Sequence, residues 1–307
     1  MRKKNRLKLV LLLLTTFILG CSYLENDKKT EKVIFDFSDT TSIDNQDIIK
    51  DHKNQIRIAV AAITSPRETF TFYKDMFKYI EMETGMPVLM IQRKTYEEIN
   101  ILLKQGDVDV AFICSGGYVF GHSESWFNLL VIPERMGKKN YQTYIIAHNS
   151  STINSLKDLR GKSFAFTDPL STSGYLYPTK RLRDMGYEPN TFFGSHTYTY
   201  AHDNSIQLVS KKIVDGASVN SLVFDYLNET NPDRVRNIKI IEKSEWYGIP
   251  PVVISNKTPD ELKIQLEAIF LKMHLNPSSK KVLDKLMFDR FVNENDSIYN
   301  SVRRLLN

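Results

Sequence analysis

The sequence predicts an α/β fold in two lobes, with a ligand cleft between them. Apolar runs of strand length alternate with amphipathic helical runs, the rhythm of a mainly parallel sheet covered by helices. The rhythm occurs twice, in units of unequal length, with no sequence repeat between them. Three loops that follow strands are rich in hydroxyls and glycine, and in open α/β sheets ligands bind beyond the carboxyl ends of the strands.

In chain order, residues 1–20 carry five basic residues and then an apolar run from Leu9 to Leu19, the pattern of a secretory signal too short to span a bilayer comfortably. The ending Ile18, Leu19, Gly20, Cys21 resembles a bacterial lipobox, which makes Cys21 the expected lipidation site and residue one of the mature chain. The other cysteine, Cys114, ends an apolar strand and reads as a buried thiol, so no intramolecular disulfide is expected. The formal net charge of +5 also belongs to this segment: 41 basic residues less 5 leaves 36, against 36 acidic ones. A neutral mature chain offers no electrostatic basis for nucleic-acid binding. Residues 21–54, rich in Asp, Asn, Lys, Ser and Thr, read as a flexible tether.

Residues 56–63 (IRIAVAAI) read as a buried strand, and residues 68–84 as a helix with Phe72, Met76, Phe77 and Ile80 on one face, stopped by Gly85. Residues 88–92 (VLMIQ) are the next strand, 95–107 the next helix and 108–114 (VDVAFIC) the third strand. The second unit runs through strand 141–148, a short helix at 155–162, strand 162–167 (KSFAFT), a Ser/Thr turn with its helix, and strand 213–219. Residues 238–244 and 250–256 then lead to helices expected at 259–275, 278–288 and 296–306.

The turn in residues 166–178 (FTDPLSTSGYLYP) organises the rest. A strand that passes through Ser171, Thr172, Ser173 and Gly174 into a helix presents hydroxyls, free backbone N–H groups and the positive end of the helix dipole at one point, which suits an anion. The stretch has no Lys or Arg, so neutral dipoles would do the holding. An ordinary N-cap would use the same residues. The loop after the first strand (Thr64, Ser65, Thr69, Thr71, Tyr73) and that after the third (Ser115, Gly116, Gly117, Tyr118) stand at matching positions, and together the three read as one cleft.

Catalytic signatures are missing. There is no GxSxG elbow, no HExxH or other metal spacing among the histidines, and GGYVFG lacks the pattern of a dinucleotide loop, so no enzyme, metal or cofactor is expected.

DPLSTSGYLYP with the preceding SLKDLRGKSFAF, VDVAFICSGGYV, and TYAHDNSIQLVSKKIVDGASVNS together resemble the phosphate, phosphite and phosphonate receptors of ABC importers, over residues from about 55 to the end. The family more often has Gly-Pro where this chain has Ser115 and Gly116. The resemblance implies a type II periplasmic-binding-protein fold with lobe I at 55–140, lobe II at 141–245, and a return to lobe I with C-terminal helices at 246–307. It implies that Ser171, Thr172, Ser173 and Gly174 hold the anion from lobe II, that Tyr118 with Ser115 and one of Thr69, Phe70 or Tyr73 does so from lobe I, and that His202 contacts an anion oxygen. Asn220 falls where relatives face the ligand's substituent. His196 rivals His202, and Trp126 and Trp246 are as readily packing residues as cleft residues. The implied protein is a monomer held on the outer face of the cell membrane through lipid on Cys21, closing on a phosphorus oxyanion and delivering it to an ABC permease. The alternatives are a sensor lipoprotein that presents its closed state to a membrane kinase, and a phosphate-ester hydrolase with Ser171 or Ser173 as nucleophile.

Overall fold

The computed structural model describes residues 55–306; the signal segment 1–20, the tether 21–54 and Cys21 lie outside them. The strands are β1 (Ile56–Val60), β2 (Val88–Gln92), β3 (Val110–Phe112), β4 (Phe127–Glu134), β5 (Asn140–Tyr141), β6 (Thr143–His148), β7 (Ser163–Phe166), β8 (Ser195–Tyr198), β9 (Gly216–Asn220), β10 (Ile238–Lys243), β11 (Tyr247–Gly248), β12 (Val252–Ser255) and β13 (Arg290–Val292). The helices are α1 (Pro66–Thr84), α2 (Tyr96–Gln105), α3 (Ser115–Ser123), α4 (Tyr177–Asp184), α5 (Pro189–Phe192), α6 (His202–Ser210), α7 (Ser221–Thr230), α8 (Asp260–Lys272), α9 (Pro277–Lys285) and α10 (Asn300–Arg303).

Two sheets result, one per lobe. The first has the order β13-β4-β12-β3-β1-β2 and the second β10-β6-β9-β7-β8. β1 runs parallel to both β2 and β3, as the βαβ rhythm requires, and β7 runs parallel to β8 and β9. β12 returns from the second lobe and inserts antiparallel between β3 and β4. The chain therefore crosses between the sheets twice, and the two crossings pair with each other: Tyr141 of β5 faces Tyr247 of β11 and Asn140 faces Gly248. These two short antiparallel strands form a ribbon on the crossover between the sheets.

Each helix covers a sheet for reasons visible in its residues. α1 starts with Pro66 in its first turn, buries Thr69, Met76, Phe77, Tyr79 and Ile80, and stops at Gly85 with φ of 68°. α2 opens on a capping box, in which the Thr95 hydroxyl accepts the N–H of Glu98 while the Glu98 carboxylate accepts that of Thr95. Tyr96 is thereby the first helical residue after β2.

Three features depart from expectation. The Ser115–Tyr118 segment is the start of helix α3 rather than a loop, and further along that helix Gly121 serves close packing: a Cβ on it would lie 2.4 Å from the Phe127 ring. β4, β8 and β13 add strands that no alternating pattern announced. The C-terminal helices are shorter than the apolar spacing suggested, the last reduced to Asn300–Arg303.

Candidate functional site

The carboxyl ends of β2, β3, β7 and β9 meet at one buried locus. From the second lobe, β7 leads through Thr167 and Asp168 into a π-helical turn, Thr172–Leu176, and only then into α4. Ser171 holds the turn: its hydroxyl oxygen accepts the Gly174 N–H at 2.9 Å, and its carbonyl accepts the N–H groups of Tyr175 and Leu176 at 3.0 and 2.9 Å. Gly174 is required, since a Cβ there would sit 2.4 Å from the Thr167 side chain. Ser218 of β9 donates to the Ser173 carbonyl at 2.6 Å and fixes the turn to the sheet. Thr172 and Ser173 are fully buried.

The first lobe reaches the same turn through backbone. Gly116 lies so close that a Cβ on it would be 2.1 Å from the Leu170 carbonyl oxygen and 3.1 Å from the Thr172 nitrogen. The Cys114 thiol is 3.9 Å from the Thr172 hydroxyl, and the Tyr96 N–H at the start of α2 donates to Asp168 at 3.1 Å. The Asp168 carboxyl is raised by burial, against the pull of the N–H groups of Leu170 and Tyr96.

Two phenols complete the locus. The hydroxyls of Tyr96 and Tyr141 are buried and, among the described residues, have no hydrogen-bond partner. The Tyr141 hydroxyl lies near those of Thr172, Ser115 and Ser173 without reaching hydrogen-bond geometry, and Tyr96 lies likewise near Cys114, Asp168, Tyr141 and Ser171, so both project into the same cluster. Burial pushes both phenols well up, which keeps them protonated as donors. A buried unsatisfied hydroxyl costs on the order of 1–3 kcal/mol, so two at one place mark a site built for an acceptor.

His202, the first residue of α6, is fully buried, and burial pushes its pKa down to about 3. It is therefore neutral at ordinary pH. Its Nδ1 receives the Asn220 backbone N–H at 3.3 Å and lies 3.1 Å from the Thr167 hydroxyl. An N–H pointing at Nδ1 makes that atom the acceptor and assigns the proton to Nε2, which lies 3.5 Å from the Ser173 hydroxyl. His202 is thus an N–H donor toward the turn. It has no lone pair there with which to deprotonate Ser173, and the hydrolase alternative loses its base.

The sequence-derived candidates divide. Ser171, Thr172, Ser173, Gly174 and His202 are brought together. Ser115 stands at the cluster's edge but donates to the Gly248 carbonyl of β11 at 2.6 Å. Asn220 positions His202 through its backbone, and its amide oxygen caps α7 by accepting the Leu222 N–H at 2.8 Å. Thr69 and Tyr73 line a neighbouring chamber. Tyr118 corrects the expectation: three residues into α3 it turns into the core, fully buried on Tyr299 with ring centroids 4.4 Å apart, its hydroxyl 2.6 Å from Asp296. His196 is exposed on the edge strand β8. Lys104 covers the Trp126 ring and Lys138 the Trp246 ring, and neither indole lines the cluster.

Tyr96 and Tyr141 were not among the candidates. The signal for Tyr96 was present, because T-x-x-E directly after a strand places the next residue at that strand's carboxyl end. A two-residue strand such as β5 gives Tyr141 no such signal. Tyr96→Phe and Tyr141→Phe are each expected to lower anion affinity roughly 10- to 100-fold while leaving the ligand-free melting temperature unchanged or slightly raised. Calorimetric titration and a thermal melt read both; an unchanged affinity would remove the phenol from the site.

Residues 58–299 match the family model described as the periplasmic substrate-binding protein of the phosphonate ABC transporter. The chain is 37% identical over 118 residues to the phosphate-import protein PhnD of Mycolicibacterium smegmatis, covering 37% of each. It is 28% identical over 176 residues to the phosphonates-binding periplasmic protein of Escherichia coli, covering 55% of this chain and 51% of that one. A probable phosphite-binding protein of Prochlorococcus marinus is 23% identical over 190 residues, 58% of this chain and 64% of that one, so the match spans less than two thirds of each of these relatives. Among solved structures, a binding component of a Pseudomonas aeruginosa phosphonate transporter superposes with a TM-score of 0.78 at 25% identity, covering 82% of this chain and 85% of that one. Prochlorococcus marinus PhnD1 gives 0.74 at 19% identity, covering 82% and 97%, and shares the fold.

Proposed function

The chain belongs to the phosphonate substrate-binding protein family of ABC transporters, and from that premise we propose that it captures a phosphorus oxyanion between its lobes and presents it to a membrane permease. The relatives are binding components, not enzymes, and work outside the cytoplasm. The lobes are taken as 55–140 with 246–307, and 141–245.

The observation that carries the proposal is the pair of buried hydroxyls, Tyr96 and Tyr141, that have no hydrogen-bond partner among the described residues, with Tyr141 beside Thr172 and Ser173 and Tyr96 beside Ser171 and Tyr141. With the hydroxyls of Thr172 and Ser173 and the His202 Nε2–H they make five neutral donors. Hydrogen bonds to a charged group contribute about 1.5–3 kcal/mol each. Five of them offset ordering and desolvation and still leave the roughly 8 kcal/mol of micromolar binding. Because the donors come from both lobes and Tyr141 lies on the hinge ribbon, the anion stabilises the closed arrangement by contacts that the open one lacks.

The test is isothermal titration with phosphate, phosphite, methylphosphonate and sulfate, repeated on Ser173→Ala. Micromolar or tighter binding of a phosphorus oxyanion, weakened at least about tenfold by the substitution, is expected. Silence with all four in a folded protein, or equal binding of sulfate, would sink the proposal. The lipobox leads us to place the protein on the outer face of the membrane through lipid on Cys21. Cys21→Ala should shift it from the membrane fraction to the soluble one, and retention would count against the anchor.

A further inference from the structure

The loop 63–65 of the first lobe, between β1 and α1, and the first turn of α6 in the second lobe hold each other through two hydrogen bonds. The Ile63 carbonyl accepts the His202 N–H at 3.0 Å, and the Asp203 carboxylate accepts the Ser65 N–H at 2.8 Å. The first bond supplies what the sequence around α6 lacks. Ala201, which precedes the helix, offers no side-chain cap, so the acceptor at this helix start comes from the other lobe.

Asp203 is 3% exposed. Its second oxygen lies 3.5 Å from Arg234, which reaches back to Glu68 of α1 at 3.4 Å, so the series Ser65, Asp203, Arg234, Glu68 leaves the first lobe, crosses the second and returns. Phe72 of α1 meets Tyr226 of α7 edge-on, with ring centroids 4.9 Å apart. The members of the series differ in strength. Arg234 and Glu68 are partly exposed and at the long end of hydrogen-bond distance, so water screens their pair and it contributes little alone. The bond to Asp203 is short, charge-assisted and buried at its acceptor, and it has one partner in each lobe. Separating the lobes breaks it and frees the His202 N–H as well.

We infer that Asp203 is a positioning residue, which latches the loop 63–65 onto α6 and so sets how long the closed lobes hold the oxyanion, not how the oxyanion is recognised. The inference rests on the receptor reading above. Asp203 is no donor to the anion, yet it is the neighbour of His202, whose Nε2 faces Ser173. A bond made only in the closed arrangement slows opening, so it acts on release and leaves the encounter of ligand with open lobes unchanged. For a charge-assisted hydrogen bond the change in rate is roughly 10- to 100-fold.

The test is stopped-flow kinetics of methylphosphonate on the full-length protein in detergent, paired with amide hydrogen exchange on the same proteins without ligand. Asp203→Ala is expected to raise the dissociation rate about 10- to 100-fold with the association rate within about threefold. Asp203→Asn, whose amide oxygen can still accept the Ser65 N–H, should recover part of the loss. Glu68→Gln, half-exposed on α1, should raise dissociation about two- to fivefold and add nothing in an Arg234→Gln background. In exchange, Asp203→Ala should lose protection at residues 63–69 of the first lobe together with 201–206 of the second, whereas a role confined to α6 would touch only the second. Unchanged release from Asp203→Ala, a loss of affinity carried by the association rate, or exchange altered only at 201–206 overturns the inference. If Asp203→Ala does not fold, unchanged release from both Glu68→Gln and Arg234→Gln overturns it. A wild type that binds none of methylphosphonate, phosphite and phosphate removes the receptor reading, and the latch then stands or falls on exchange alone.

Discussion

Gly116→Ala is expected to lower oxyanion affinity by roughly a hundredfold or more while leaving the ligand-free fold intact. The added Cβ would stand 2.1 Å from the Leu170 carbonyl oxygen and 3.0 Å from a Leu176 methyl. The first of these sets a Cβ, fixed by its own backbone, against a backbone carbonyl, so no rotamer change relieves it. The lobes must separate, and the Tyr96 to Asp168 hydrogen bond and the Cys114 to Thr172 contact go with them. Within α3 itself alanine is the better helix former by about 0.5–1 kcal/mol, so a thermal melt without ligand should hold or rise. Titration paired with small-angle scattering reads the effect: the variant should keep the same radius of gyration with and without ligand. Unimpaired binding in this variant would mean that the α3 start and the Leu170–Thr172 backbone are not in contact in the ligand-bound state.

The second large effect is a dependence of stability on pH through His202. Burial sets its folded pKa at about 3, below the ordinary 6.5 that it regains on unfolding. Between those values the unfolded chain takes up a proton that the folded chain refuses. The contribution is therefore fully present above pH 6.5 and is lost as pH falls toward 3, at up to about 1.4 kcal/mol per pH unit. Urea unfolding of the wild type and of His202→Gln between pH 6.5 and 4.5 isolates it, because the carboxylates held low, such as Asp296 and Glu294, titrate alike in both proteins. The wild type should lose stability more steeply than the variant. Parallel curves would contradict a buried neutral imidazole.

Much of this site was readable in the residues because it is built from contiguous pieces. DPLSTSG carries its own turn: Ser171 caps it, Gly174 admits Thr167, and the hydroxyls of Thr172 and Ser173 have nowhere to go but inward. The alternation of IRIAV, VLMIQ and VAF with helices fixed a parallel arrangement in the same way. What escaped was set by distance along the chain. Tyr141 enters the site only because β5 pairs with β11, more than a hundred residues later, and a two-residue strand leaves no period to read. Tyr118 misled because Gly116 and Gly117 look like loop residues. They are helical, and at Gly116 glycine is required so that the α3 start can approach Leu170. Tyr118 then faces Tyr299 and Asp296, from an element whose position in the core no local pattern reveals.

The central claim is that neutral hydroxyls from both lobes, with the His202 Nε2–H, hold the oxyanion. A crystal structure of the protein grown with methylphosphonate tests it most directly. The account predicts the phosphonate oxygens about 3 Å from the hydroxyls of Tyr96, Tyr141, Thr172 and Ser173 and from His202 Nε2, with no guanidinium or ammonium in contact. A phosphonate bound instead on Arg135 or Arg234, with Tyr96 and Tyr141 left untouched, would contradict it.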